Sequence, residues 1–402
     1  MAVEVRQIGR DEFGGAFAPI WHYFGRGVDE SDAERLGRIL PVERVHAAFD
    51  DSTIVGGAGA YALELTVPGG AVVPTAGVMA VGVLPTHRRR GVLTALMQKQ
   101  LEAAHERGEP LSTLYASEGA IYGRFGYGLG TLMGAIRLDR AHARFVDDAE
   151  PVGTTRLVDE DEALQLFPAV YDRVRARTPG MFRRTPDWWE VRRLTLPRWL
   201  PGAQQFRVVL EADGRPEAYA IYRMEFAVED GASASTLVVT EAIGATPVAL
   251  REIWRLLISI DWYKTLEAEF QPLEHPLFLQ LAEPRRLRFM LNEGLWTRVI
   301  DVGAALAARS FSGDGEVVLE VTDALCPWNE RRWRVTGGGV ERVEAEPEIR
   351  LGIRELGSAY LGGFTFAQLL RAERIEELRD GAVARADELF RSDPPPWCPE
   401  LF

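Results

Sequence analysis

Between residues 81 and 93 the chain reads Val81-Gly82-Val83-Leu84-Pro85-Thr86-His87-Arg88-Arg89-Arg90-Gly91-Val92-Leu93. An apolar run of strand character stops at Pro85 and three arginines follow. A glycine then opens a segment that carries Leu93, Leu96, Met97 and Leu101 on one helical face. At the start of a helix the first backbone N–H groups lack intrahelical acceptors, and the helix dipole favours an anion beside them. Arginines on the approach add bidentate charge, and Gly91 lets a ligand come close to the backbone. The stretch therefore reads as a cradle for a diphosphate. It is not a Walker loop, because no Gly-Lys-Ser or Gly-Lys-Thr follows, nor is it the glycine-triplet dinucleotide fingerprint. Three arginines in an isolated loop would be a solvated patch; the preceding strand, Pro85 and the amphipathic helix favour the cradle.

The chain around this feature has 402 residues, more than one hydrophobic core usually serves, so two or three domains are expected. Hydrophobic residues make up 47% and charged residues 26%, and no apolar run is long enough to span a membrane. Glu4, Arg6, Arg10, Asp11 and Glu12 stand where a signal peptide needs an apolar core, which predicts a cytoplasmic protein. Cys326 and Cys398 are too few for a disulfide framework or a four-cysteine zinc site. The six histidines show no ligand spacing with them, so no metal is expected. A net charge of −13 opposes binding to nucleic acid or anionic membranes and suits a cationic small molecule.

The pattern divides into segments 1–150, 151–300 and 301–402. In the first, helices are predicted at 11–24, 30–40 and 92–107. Strands are predicted at 53–65, 71–73, 77–84 and 112–116, with a turn at Val67-Pro68-Gly69-Gly70 and a short helix or turn at 119–125. The second segment repeats that order, with helices at 159–176 and 186–194, strands at 207–212, 216–225 and 236–243, and a helix at 248–260. Ile243-Gly244-Ala245-Thr246-Pro247 replaces the arginine cluster there, so a degenerate copy that binds no cofactor is expected, with an unrelated α/β domain as the alternative. In the third, strands at 316–322, 331–336 and 348–351 precede helices at 353–361, 365–372 and 381–390. The end, Pro394-Pro395-Pro396-Trp397-Cys398-Pro399-Glu400-Leu401-Phe402, is stiffened by proline and too apolar to stay in water, which on its own predicts a tail docked on a domain surface.

A second group of residues follows the cradle. Ser117 and Glu118 stand where a strand ends, and glycines 119, 123, 126 and 128 are expected to fold the chain back over a ligand, bringing Tyr122 and Tyr127 close to it. A tyrosine, with a reference pKa of about 10, can serve as a proton donor. Each of the two can equally be a core aromatic with a satisfied hydroxyl, and that reading is favoured for Tyr127. Neither cysteine lies in this segment, so no cysteine nucleophile is expected.

These residues resemble the acyl-coenzyme A motif of GNAT acetyltransferases (Gln or Arg, x, x, Gly, x, Gly or Ala). Arg88, Gly91 and Leu93 occupy its places, with leucine where the last small residue would be. His87-Arg88-Arg89-Arg90-Gly91, Ala116-Ser117-Glu118-Gly119 and Ile121-Tyr122-Gly123-Arg124-Phe125-Gly126-Tyr127-Gly128 closely resemble the Eis (enhanced intracellular survival) family, chiefly actinobacterial. The similarity extends over the chain, including Leu356-Gly357-Ser358-Ala359-Tyr360-Leu361-Gly362 and the terminal Phe402.

The resemblance implies an α/β (α+β) protein: tandem GNAT domains, the second degenerate, then a sterol carrier protein-like domain whose terminus enters the first domain's active site. It implies acetyl-CoA as cosubstrate. Val81, Gly82 and Val83 would hold pantetheine through their backbone, and Arg89, Arg90, Gly91, Val92, Leu93 and Thr94 would wrap the pyrophosphate, with Ser117 and Glu118 beside the cofactor arm. Tyr122 would be the general acid and the α-carboxylate of Phe402 the general base of a direct ternary-complex transfer. A free α-carboxyl has a pKa of roughly 3.5, so desolvation or a water relay would have to assist that base. The family's acceptors are aminoglycoside amines, hence antibiotic resistance, with some activity on lysine side chains, and its members form hexamers. Its acceptor pockets draw on acidic and aromatic residues of the N-terminal helices and the tail; here Glu34-Arg35-Leu36-Gly37-Arg38 lacks a tryptophan, and Leu401 stands where the family has an acidic residue, with Glu400 one place earlier. The expected activity is N-acetylation of a cationic small molecule, aminoglycoside-like or polyamine. The alternatives are a lysine or peptide N-acetyltransferase and a non-catalytic lipid- or CoA-binding protein.

Overall fold

The computed structural model describes residues 3–25, 27, 30–147, 149–195 and 203–402. They form two compact units. Met1–Thr131, Gly294–Pro396 and Leu401–Phe402 belong to the first, and Leu132–Glu293 and Trp397–Glu400 to the second.

In the first unit, β1 (Glu4–Gln7), β2 (Val45–Asp50), β3 (Thr53–Thr66) and β4 (Val72–Val83) pair antiparallel in sequence order. β5 (Leu111–Leu114) adds parallel to β4, and Trp296–Val299 lies between β5 and β6 (Gly128–Leu129). The β3–β4 turn closes as expected, Val67 N–H donating to the Ala71 carbonyl at 2.9 Å. The separate strands predicted at 71–73 and 77–84 are one strand. Pro74 sits in it opposite Glu64, because proline removes one donor but keeps a φ that an extended chain tolerates.

One face of the sheet is covered by α3 (Val92–Glu106), whose Met97 and Leu101 are buried against Ala60, Val78 and Leu114, and whose Leu96 is buried against Ala48, Val55 and Ala58. Burying each of these large side chains contributes about 2 kcal/mol. On the other face α1 (Phe13–Tyr23) lies almost on the backbone. A Cβ at Gly57 would stand 2.0 Å from the Ala16 carbonyl oxygen, and one at Gly82 would stand 2.7 Å from Ile20 N. α2 (Glu30–Gly37) follows α1.

The C-terminal part of this unit is a five-stranded sheet with Glu316–Thr322 at its centre. Its helix Ile353–Tyr360 contacts Trp296–Val299 and β6 through glycines on both sides. A Cβ at Gly128 would meet the Arg354 carbonyl oxygen at 2.0 Å, and one at Gly357 would meet that of Thr297 at 2.3 Å. The fully buried Arg298 is held by Asp323 at 2.8 Å and by the Phe125 carbonyl at 2.9 Å, and a Cβ at Gly126 would strike its guanidinium. Gly126 and Gly128, expected to fold over a ligand, thus serve close packing within the protein.

The second unit has a seven-stranded sheet in the order Met290–Glu293, Leu132–Asp139, Thr265–Gln271, Thr236–Gly244, Arg215–Glu225, Gln205–Ala212 and Thr154–Leu157. Asp159 caps the helix Glu160–Arg175 by accepting from Glu162 N at 2.8 Å, and Thr246 caps Pro247–Ser259 by accepting from Ala249 N at 3.1 Å. The tail segment Trp397–Glu400 packs in this unit, Trp397 Nε1 donating to the Phe270 carbonyl at 2.7 Å. Glu400 is 1% exposed: it bonds Arg184, Arg193 Nη2 at 2.6 Å and Trp188 Nε1 at 3.1 Å. Two guanidinium groups and an indole N–H use its carboxylate inside the core.

Candidate active site

β4 and β5 pair only at Thr75–Leu111, Ala76–Ser112 and Gly77–Thr113, although β4 continues to Val83. The reason for the parting is local. Against β3 the register runs from Gly59–Met79 to Gly57–Gly82, so Ala80 and Val81 together face Ala58, and Ala80 has a left-handed φ of 52°. An extra residue of this kind bends and twists its strand. Val81, Gly82 and Val83 therefore lie past the last β4–β5 pairing, where backbone groups lack the neighbour that a continuous sheet would supply.

The strand leads into the arginine loop. Pro85–His87 forms a 3-10 turn, Arg89 takes a left-handed φ of 60°, and Gly91 caps α3 at φ 81°. No side chain caps this helix start, and a Cβ at Gly91 would meet nothing within 4 Å. Arg88, Arg89, Arg90, Gly91 and Thr94 are exposed, Val92 is buried and Leu93 is half-buried. The loop is tied back by Asp50, whose Oδ2 lies 3.0 Å from His87 Nε2 and 3.6 Å from Arg90. The His87 hydrogen bond and the charge of Arg90 hold the Asp50 carboxyl below the usual carboxylate range. Sequence reasoning missed Asp50, since nothing in its own stretch connects it to the loop. The equivalent helix of the second unit differs, because Thr246 satisfies one of its first amides.

Ser117 and Glu118 are exposed just beyond the end of β5, and α4 (Gly119–Tyr122) starts after Glu118. Tyr122 is 7% exposed; burial, then the charge of Glu118, push its phenol up to about 12. Tyr127 is fully buried with its hydroxyl 2.7 Å from Ser112 Oγ, which itself donates to the Ala76 carbonyl at 3.0 Å. The Phe402 ring lies in the first unit. It meets Tyr61 edge to face at 6.0 Å and Tyr115 at 5.7 Å, and a Cβ at Gly77 would stand 3.3 Å from its Cε2. The terminal residue is thus placed where β4 and β5 part. Tyr23 also reaches the site, donating to the Val83 carbonyl at 2.7 Å. Tyr23, Tyr61 and Tyr115 were not singled out from sequence, although aromatic residues flanking the predicted cofactor strand were the available signal.

A separate cavity of about 1080 Å³ is lined by Arg10, Asp11, Phe13, Glu34, Arg38 and Glu43 among others, and by none of residues 77–94 or 111–122. Its acidic and basic side chains nearly balance, so it carries no marked preference for a cation. Among the described residues no group of His, Cys, Asp and Glu could hold a metal, and no helix is long and apolar enough to cross a membrane.

Comparison with known proteins places these features in a family. Residues 4–130 and 180–299 each match an acetyltransferase (GNAT) domain, and residues 302–399 match a sterol carrier protein domain. The chain is 38% identical over 412 residues to an N-acetyltransferase of Streptomyces avermitilis described as uncharacterized, covering all of both chains. It is 36% identical over 355 residues to N-acetyltransferase Eis of Mycobacterium tuberculosis, covering 86% of this chain and 85% of that one. The crystal structure of Eis1 from Mycobacterium abscessus superposes with a TM-score of 0.88 at 33% identity, covering 99% of this chain and all of the other. With two GNAT domains, a sterol carrier protein domain and this identity along most of its length, the chain belongs to the Eis family of GNAT N-acetyltransferases.

Proposed function

We propose that this N-acetyltransferase uses acetyl-CoA to acetylate amines of a cationic small molecule, aminoglycoside-like or polyamine, in a direct ternary complex. The observation that carries the reading is the position of Phe402 over Gly77, next to the gap between β4 and β5.

The residues present fit coenzyme A. An uncapped helix start behind three exposed arginines suits a diphosphate, and the stretch after Gly77, paired with β3 but no longer with β5, suits an amide-bearing arm. Arg89, Arg90, Gly91, Val92, Leu93 and Thr94 would hold the pyrophosphate. Val81, Gly82 and Val83 would bond the pantetheine amides, with Ser117 and Glu118 flanking the arm. When bound, acetyl-CoA supplies the activated acetyl group. The α-carboxylate of Phe402, directly or through one water, would take a proton from the acceptor ammonium; the freed amine would form the C–N bond as the C–S bond breaks, Tyr122 Oη would donate a proton to the departing sulfur, and the second nitrogen proton would return to Tyr122. A phenol with a pKa of about 12 keeps its proton at every working pH and is available as a donor. A net charge of −13 favours a cationic acceptor. By family resemblance the proposed assembly is a homohexamer, to be weighed by light scattering.

Release of free thiol in the presence of an aminoglycoside panel, polyamines and lysine peptides tests the substrate class. Turnover with aminoglycosides or polyamines is expected. Turnover with peptides alone would replace this reading by protein or peptide acetylation, and acetyl-CoA binding with no turnover on any amine would replace it by a binding protein.

A further inference from the structure

The terminal phenylalanine does not lie on an arbitrary surface. Tyr61 faces Gly77 across β3 and β4, and Gly77 faces Thr113 across β4 and β5. Residues directly opposite one another in a sheet project from the same face, and so do residues two apart along a strand. Tyr61, Gly77 and Thr113 therefore form a row across three strands on one face, with Tyr115 one step beyond Thr113. Phe402 lies on that row: over the missing side chain of Gly77, with edge-to-face contacts to Tyr61 and Tyr115 at interplanar angles of 80° and 89°. The middle of the row has room for a ring only because residue 77 is glycine. A Cβ there would stand 2.4 Å from Leu63 Cδ1 as well as against Phe402. Thr113 is fully buried, and its hydroxyl has no hydrogen-bond partner among the described residues. Thr297, opposite Thr113 on the next strand, is likewise fully buried with a hydroxyl unpartnered among the described residues. A buried hydroxyl ordinarily finds a partner, so the row has hydrogen-bonding capacity for a water on the face that holds the chain terminus.

We infer that Tyr61, Gly77, Thr113 and Tyr115 are a seat for the C-terminal residue, and that they act as positioning residues for its carboxylate in acetyl transfer. The inference rests on the reading of Phe402 as the base, and its test separates the two. Edge-to-face packing fixes the ring, the ring fixes the last Cα, and the carboxylate one bond away is held within reach of an acceptor instead of sweeping through solvent. The Thr113 hydroxyl, unpartnered among the described residues, would bond a water on the same face.

The experiment compares the full-length protein with Tyr115→Leu, Tyr115→Phe, Thr113→Val and a chain ending at Leu401. Intact-mass kinetics during carboxypeptidase digestion read the seat directly, independently of activity. Tyr115→Leu should be trimmed at least about tenfold faster and Tyr115→Phe at the original rate, since phenylalanine keeps the ring edge. Trimming unchanged in Tyr115→Leu overturns the seat. Steady-state kinetics read the positioning: Tyr115→Leu should lower kcat about tenfold to a hundredfold with the KM for acetyl-CoA held within about twofold, and Thr113→Val should lower kcat with trimming unchanged. Unchanged kcat in both overturns the positioning role. In the chain ending at Leu401, Tyr115→Leu should add no further loss, because its effect passes through Phe402. A shortened chain with full activity overturns the reading of Phe402 as base while the trimming result still decides the seat.

Discussion

Arg184 and Glu241 meet through two hydrogen bonds, Nη1 to Oε2 at 2.9 Å and Nη2 to Oε1 at 2.5 Å, with side chains only 1% and 2% exposed. Glu400 lies on the same guanidinium, Arg193 joins Glu400, Tyr219 donates to Glu241 at 2.8 Å, and the Arg184 guanidinium carbon stands 3.8 Å over the Tyr171 ring. Charges buried this deeply are tolerable only when each is paired. Arg184→Met removes the shared cation and leaves two carboxylates with Arg193 alone. The expected loss is roughly 3–5 kcal/mol, read from urea unfolding followed by tryptophan fluorescence. A loss below about 1 kcal/mol would mean that water reaches the cluster.

The same cluster makes stability depend on acid. Burial raises the Glu400 carboxyl pKa, but the charges of Arg184 and Arg193 outweigh that effect and bring it down to about 2. A carboxyl whose folded pKa lies below its unfolded value stabilises the fold above the unfolded value, and that stability is lost as pH falls through the folded one. The window therefore runs from the usual carboxylate value of 4.5 down to about 2. Glu400→Gln should be less stable at pH 7 and should flatten the decline between about pH 4.5 and 2 relative to the unaltered chain. Parallel declines in both proteins would assign the acid sensitivity to other carboxylates.

Tyr122 and Tyr127 are separated by their surroundings. The Tyr127 hydroxyl is already paired with Ser112 in the core, so Tyr127→Phe should cost about 1 kcal/mol of stability and leave turnover within about threefold. Tyr122→Phe should lower kcat by about a hundredfold or more with acetyl-CoA binding retained. Because burial and then Glu118 push the Tyr122 phenol up to about 12, its loss of a proton sets in only near that pH, and Glu118→Gln should shift that limb of the rate profile downward. Equal losses of kcat in the two phenylalanine variants would remove the distinction.

How much of this could be read beforehand depended on how local the determining interaction is. The face of α3 was legible because Leu96, Met97 and Leu101 recur at helical spacing, and the β3–β4 hairpin because Pro68-Gly69-Gly70 is turn chemistry. The helix starts at Asp159 and Thr246 were similarly open to view, since a cap is a contact three residues long. Sheet membership was not. Leu132–Asp139 joins the second sheet and Trp296–Val299 the first, a choice set by partners more than a hundred residues away. The bulge at Ala80 and the use of Gly128 against Arg354 are close approaches between distant backbones, which leave no periodic trace. The partners of Glu400 were hidden for the same reason: its arginines come from positions 184 and 193, and nothing in the tail signals them.

The start of α3 offers the sharpest test of the phosphate cradle, because the fold can survive while the ligand site is damaged. Gly91 has a left-handed φ of 81°, and a side chain there would enter open space. A non-glycine residue costs about 1–2 kcal/mol in that conformation, and a β-branched one also shields the amides that follow. Gly91→Val should therefore stay folded, with a modest drop in melting temperature, while the Kd for coenzyme A rises by about tenfold or more. Arg90→Ala acts differently. It removes one exposed cation, so the Kd should rise less, by a fewfold, and the weakening of binding by added salt should become shallower, because fewer charges remain to be screened. Calorimetric titrations of both variants at low and high salt distinguish backbone gripping from simple charge attraction. Unchanged affinity in Gly91→Val would place the diphosphate away from this helix.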